Sequence, residues 1–241
     1  MPITVMNHVT LDGVMQAPGR ADEDTRGGFA HGGWAEAGND EVMGSYLGER
    51  MAAGGGAHIF GRRTYDDLLS FWNSQPDNPF ASALNNIPKN VASTTLAEPL
   101  PWPNSSLLEG GPAEAVAALT ESQSGTGFTI MGSSTLIHQL MAHDLIDEWL
   151  LMIHPLVLGS GIQLFPADAT PTRLEMVDPV TTTTGVVIAS YRTAGKPGET
   201  CALGQHGSTS KLADIPGFSS LRRADTICVL DYQSGPIAQP G

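Results

Sequence analysis

The chain has 241 residues, 41% of them hydrophobic and 15% charged, which is enough for one substantial core or for one domain with an appendage. Its formal net charge of -13 excludes general affinity for nucleic acid or anionic membrane, because no basic run offsets it; Arg62-Arg63 and Arg222-Arg223 are the densest cationic points. No stretch approaches the roughly 20 apolar residues of a membrane span, the opening MPITVMNHVTLDG lacks the regions of a signal peptide, and two late cysteines, Cys201 and Cys228, make no disulfide framework, so a cytoplasmic protein is expected.

In chain order, Ile3–Val9 reads as a strand, followed by a loop rich in Gly, Asp and Arg. Asp40–Ala52 has a helical pattern with Asp40 as N-cap. Ala57–Gly61 is a short buried strand, and Thr64–Trp72 a second helix. After a Pro- and Asn-rich connection, Lys89–Thr94 reads as a third strand. Gly111–Ser122 is a helix with Pro112 in its first turn. Gly127–Gly132 is a strand and Ser133–His143 a helix; Leu145–Gly159 is a long apolar strand or strand pair. TRLEMVDPV and GVVIASYRT, the latter ending at Thr193, close the pattern. Such alternation of strands and helices predicts an α/β fold.

Beyond Ala194 the texture changes to Gly, Pro and Ser with one short apolar patch, TICVLDY. Residues 195–241 are therefore expected to form a poorly ordered extension of a domain spanning 1–194, because they offer little apolar surface to offset ordering entropy. Scattered histidines, with no HExxH or paired CxxC, give no metal signature.

Three predicted strands end in residues suited to phosphate. They are Gly61-Arg62-Arg63-Thr64 and Gly132-Ser133-Ser134-Thr135, each entering a helix, and Ser93-Thr94-Thr95. Helix N-termini offer unpaired N–H groups and a positive dipole end, glycine allows close backbone approach, and arginine supplies a fixed fork of donors. In an α/β sheet these ends gather at one edge. Together they suggest a dinucleotide laid across the strand ends. It is not the common dinucleotide fingerprint, because Gly159-Ser160-Gly161 is followed by Ile162-Gln163-Leu164 between two apolar runs. GxxxxGK[ST] and GxSxG are both absent.

The pieces VTLDGVMQAPG, HIFGRRTYDDLLSFW, KNVASTTL, TIMGSSTLIHQLM, LIDEWLLMIHPLVLGSGIQLF and TGVVIASYR stand in the order found in the dihydrofolate reductase-like superfamily. Within it the chain resembles the C-terminal reductase domain of the bacterial bifunctional riboflavin deaminase–reductase and its stand-alone relatives. The resemblance implies a three-layer α/β/α fold with a central mixed, mostly parallel sheet. It also implies a cytoplasmic homodimer and NADPH-dependent hydride transfer to a small heterocycle, as in 5-amino-6-(5-phosphoribosylamino)uracil reductase. Dihydrofolate reduction, or NADP(H) binding without turnover as a sensor or partner protein, are the alternatives. The zinc deaminase signatures HxE and PCxxC do not occur.

Carried over residue by residue, the resemblance implies that Gly61, Arg62, Arg63 and Thr64 grip the 2′-phosphate and pyrophosphate of NADPH. Ser93 and Thr94 would sit by the 2′-phosphate and adenine ribose, and Gly132, Ser133, Ser134 and Thr135 by the pyrophosphate. Asp12, Val14 and Gln16 are implied near the nicotinamide and substrate, Val14 on the cofactor side and Gln16, with Trp34, on the substrate side. Asp12 and Asp40 are the candidate catalytic acids, Asp40 also being a candidate N-cap. Dihydrofolate reductases carry Gly-Gly, often with a cis bond, where this chain has Gly132-Ser133.

Overall fold

The apolar runs read as strands between Ile3 and Thr193 all contribute to one sheet in the computed structural model, which describes residues 2–52 and 56–195. The elements are β1 (Ile3–Thr10), α1 (Glu41–Ala52), β2 (Gly56–Gly61), α2 (Arg62–Asn73), α3 (Pro79–Asn86), β3 (Lys89–Ala92), β4 (Ser105–Leu108), α4 (Pro112–Ser122), β5 (Gly127–Met131), α5 (Ser134–Ala142), β6 (Glu148–His154), β7 (Leu174–Thr181) and β8 (Val187–Thr193). The strand order is β4-β3-β2-β5-β1-β6-β8-β7. Strands from β4 to β6 pair in parallel; β8 runs antiparallel to β6, and β7 to β8. This is the expected mixed, mostly parallel sheet between helical layers.

Alternation along β1 assigns the layers. Ile3, Val5 and Val9 pack with Ile59, Ile130 and the α4 and α5 residues Val116, Ile137 and Leu140. On the opposite face Met6, Leu150 and Met152 meet Met43, Tyr46 and Leu47 of α1. Further along that face Phe60 and Val91 lie beneath Tyr65 of α2, Leu84 of α3 and Trp102. Each fully buried aliphatic side chain contributes about 1.5–3 kcal/mol. Between α1 and α2 no helix among the described residues covers the sheet. Thr4, Met6, His58, Thr129 and Met131 are only half-buried there and form the floor of a cleft.

Some local expectations differ from the structure. Helix α2 starts at Arg62 rather than Thr64, directly from the N-cap Gly61. The Pro- and Asn-rich connection contains α3: Asn78 caps it by accepting from Phe80 N at 2.9 Å, and Pro79 occupies its first turn. Strand β4 lacked a periodic signal and exists because β3 supplies its register. The run Leu145–Gly159 yields one strand, β6. The expected extension over 195–241, with both cysteines, lies outside the described residues apart from Gly195. Among the described residues no helix is long and apolar enough to cross a membrane.

Candidate functional site

Parallel pairing of β2 with β5, Ile59 opposite Ile130, brings two of the three strand ends side by side. Side-chain hydrogen bonds lock them together. Gly61 N donates to Ser133 Oγ at 2.8 Å, and Ser133 Oγ donates to Thr64 Oγ1 at 2.9 Å. Gly132 N donates to Asn7 Oδ1 of β1 at 2.8 Å. Gly132 has φ +61, and a Cβ there would lie 3.0 Å from the Thr64 side chain, so glycine is required on both counts. Ser133 is left-handed as well, at φ 63 and ψ 55. For a residue with a Cβ that conformation costs about 1–2 kcal/mol, offset here by the two bonds its hydroxyl makes. The Gly132–Ser133 peptide is trans; the cis bond among the described residues is Glu98–Pro99.

The helix starts fall into two kinds. Helices α1 and α3 are capped by side chains, Asp40 and Asn78. Helices α2, α4 and α5 begin at Gly61, Gly111 and Ser133 with no side-chain cap. The three uncapped ends border one cavity of about 1630 Å³. Its lining includes Gly61, Arg62, Arg63 and Thr64, Ser93 and Thr94, and Gly132, Ser133, Ser134 and Thr135. Gly110 and Pro112 at the start of α4 also line it, a helix end that the sequence reading left without a ligand role although its Gly-Gly-Pro signal was legible. Arg62 pairs with Asp66 one turn along α2 at 3.1 Å, and Arg63 is exposed. Ser93 Oγ is occupied in its own turn, accepting from Thr95 N and Leu96 N.

At the other end of the cleft the structure shows what each expected residue is bonded to. Asp12 does not face the cavity: its carboxylate accepts from Thr10 Oγ1 (2.5 Å), Leu158 N (3.2 Å) and Gly159 N (2.7 Å), joining two loops. Those bonds, the Thr10 hydroxyl first, hold its pKa below the usual carboxylate range. Asp40 accepts from Met43 N at 2.8 Å and from the Thr183 hydroxyl and N–H at 2.6 and 2.7 Å, which likewise depress its pKa. Carboxylates held ionised in this way are unsuited to giving up a proton. Val14 is fully buried, with its backbone bonded to Thr10. Trp34 lies behind the wall, its indole donating to Gln16 O at 2.7 Å.

Gln16 does line the cleft, yet its amide is committed to Asp24 O, Arg26 O and Ile162 N at 3.0–3.1 Å. It shapes the following loop. Arg20 then fastens that loop to α2, pairing with Asp67 and lying 4.5 Å above the Phe71 ring. Glu23 of the loop accepts from Gly19 N at 2.6 Å, and burial pushes its carboxyl up.

The histidines of the cleft had no motif to reveal them. His8 of β1 lines the cavity, and its Nδ1 lies 2.8 Å from His154 Nε2 of β6. Burial first, then the charge of His154, lower its pKa to about 3. His58 of β2 is lowered to about 4, by burial and then by Lys89. Buried Asn7 Nδ2, His58 Nδ1 and Trp72 Nε1 have no partner among the described residues.

Residues 2–188 match the RibD C-terminal domain family. Among curated proteins, the uncharacterized protein YwjB of Bacillus subtilis (strain 168) is 36% identical over 64 residues, which is 27% of this chain and 37% of that protein's length. Two solved structures share the fold. One is a protein assigned by name to riboflavin biosynthesis from Shewanella sp. PV-4, with TM-score 0.57 and 20% identity over 80% of this chain and 99% of that one. The other is a pyrimidine reductase-like protein from Corynebacterium diphtheriae, with TM-score 0.54 and 12% identity over 80% and 92%. With a three-layer fold, a cleft at the strand ends and a family match over most of its length, the chain belongs to the RibD C-terminal domain family.

Proposed function

We propose that the chain is an NADPH-dependent reductase of a small heterocycle of the aminopyrimidine type. The observation that carries this reading is the set of three uncapped helix N-termini, with Arg62 and Arg63 beside one of them, opening on a single cleft. An uncapped end leaves backbone N–H groups and a partial positive charge, which suit phosphate oxygens. In a chain of net charge -13, such local donors are what a polyanionic cofactor needs. The unpartnered Asn7 Nδ2 beside the Gly132 turn is a further donor in keeping with a polar group there.

NADPH would supply the hydride. The residues of the chain bind, orient and shield it. Gly61, Gly132 and Ser133 set the approach of the backbone, Arg62 and Arg63 face the phosphates, and the loop pinned by Gln16 and Arg20 excludes water. Dihydrofolate reduction is less favoured, because Asp40, the candidate acid at the start of α1, is spent on capping that helix and holding Thr183. A binding module without turnover has no need of the half-buried floor between α1 and α2.

The test is NADPH oxidation followed at 340 nm with 5-amino-6-(5-phosphoribosylamino)uracil and with dihydrofolate, beside nicotinamide fluorescence titration with NADPH and NADH. Steady oxidation with the pyrimidine is expected. Tight NADPH binding with no turnover on either compound would favour the sensor reading, and no NADPH binding would overturn both.

A further inference from the structure

With Asp12 and Asp40 committed to loops, His8 is the polar group at the β6 side of the cleft floor. It follows Asn7, whose side chain holds the Gly132 turn, and by the alternation of β1 it takes the other face of the sheet, that of Thr4 and Met6. Its register partner is Met152; Met6, Leu150 and Met152 make its immediate surroundings apolar, while the polar floor residues Thr4, Thr129 and His58 lie level with one another nearer the start of β1. Its Nδ1 is bonded to His154, and its Nε2 has no hydrogen-bond partner among the described residues.

His154 is only 3% exposed and is held from two sides. Trp34 meets it edge-on at 5.1 Å and 88°. Gly38 presses on it so closely that a Cβ there would lie 2.5 Å from the ring. Its ring is therefore fixed, and through the 2.8 Å bond it fixes His8.

In a pair of neutral imidazoles joined by one hydrogen bond, one ring donates and the other accepts. If His154 donates, His8 presents Nε2–H to the cleft. If His8 donates, it presents a lone pair. Either way the exposed nitrogen is uncharged and directional, and the pair can offer a donor or an acceptor without taking up charge. A well-placed polar group with apolar neighbours is how a pocket orients a planar ligand.

We infer that His8 is the substrate-orienting residue of this cleft, hydrogen-bonding the ring amide edge (N–H or C=O) of an uncharged heterocycle, and that His154 is a positioning residue that sets its tautomer. The inference rests on the reductase reading and names the part of the substrate that the cleft recognises.

The experiment uses the full chain with ¹⁵N-labelled histidine and NADP⁺, with 5-amino-6-(5-phosphoribosylamino)uracil as probe. Long-range ¹H–¹⁵N spectra are recorded with and without the probe, and turnover is measured with NADPH. The His8 Nε2 resonance is expected to shift on adding the probe while that of His138, which is bonded to Gln163 O and Leu164 O and does not line the cleft, does not. His8→Phe should raise KM about 10- to 100-fold, as expected for a lost buried hydrogen bond, with NADPH affinity within about twofold; His8→Gln, which keeps an amide donor and acceptor, should restore part of it. His154→Phe should replace the single His8 tautomer signature with an averaged one, and His154→Gln should retain it. Turnover with no His8 response, or with His8→Phe as active as wild type, overturns the inference and leaves the reductase reading standing. A His8 response without turnover overturns the reductase reading, and with it His8's role toward a substrate, and leaves a ring-edge contact in a binding site. Neither response nor turnover overturns both.

Discussion

Arg62 and Asp66 are each 42% exposed, and an exposed i,i+4 pair of this kind is worth less than about 1 kcal/mol. A charge-assisted bond from a guanidinium to phosphate is worth about 1.5–3 kcal/mol, so a docking phosphate outcompetes Asp66. Arg62→Ala is expected to weaken NADPH binding roughly 10- to 150-fold while changing NADH binding little, and Arg63→Ala to weaken both. Asp66→Asn, which frees Arg62, should tighten NADPH binding by up to about 5-fold. Fluorescence titration of the three variants with both cofactors decides; an unchanged NADPH-to-NADH ratio in Arg62→Ala would refute the assignment of the 2′-phosphate to Arg62. Ser133 poses a different contest. Ser133→Ala keeps the left-handed strain and strands Gly61 N, costing about 1–3 kcal/mol. Ser133→Gly strands the same donor but relieves about 1 kcal/mol of strain. Urea denaturation should therefore rank wild type above glycine and glycine above alanine.

At the level of elements, Asp40 joins the start of α1 to the turn between β7 and β8 through Met43 N and Thr183. Its folded pKa is depressed. The stability it contributes is present above its unfolded value near 4 and is lost as pH falls through the folded value. Asp40→Ala is expected to lower the melting temperature at pH 7 and to narrow its gap to wild type below about pH 4. NADPH affinity should be unchanged, because Asp40 does not line the cleft; a clear loss of cofactor binding would return it to the site. Uncapped α2, α4 and α5 are the counterpart. They forgo about 1 kcal/mol of capping apiece, and the cleft gains exposed N–H groups.

For the molecule as a whole, the buried imidazoles make folding sensitive to mild acid. His8 and His58 titrate at about 3 and about 4 when folded, against about 6.5 when unfolded. Between those limits the unfolded chain binds protons that the folded chain refuses, so stability falls as pH drops from about 6.5 toward 4, by up to about 1.4 kcal/mol per pH unit for each group. Urea unfolding at pH 7.5, 6 and 5 should show the decline, and His58→Gln should make it shallower; a midpoint independent of pH in wild type would show that these rings are accessible to protons in the folded state.

The sequence alone determined the class of fold and the phosphate-friendly ends. Alternating apolar runs dictate period and face, and Gly-Arg-Arg and Gly-Ser-Ser advertise their chemistry wherever strand meets helix. It also carried the Asn78-Pro79 helix start, whose cap signal was submerged in a Pro-rich connection, and the Gly-Gly-Pro start of α4. Other assignments needed the tertiary structure. Asp12 and Asp40 look like any acid near a loop until Leu158, Gly159 and Thr183 arrive from about 140 residues away to occupy them. His8 and His154 belong to two distant strands, and only the parallel pairing of β1 with β6 makes them one group. A residue type and its local spacing reveal which chemistry a side chain is able to perform. Whether that capacity is spent inside the fold or left facing a ligand depends on partners remote in sequence, which packing alone brings within reach.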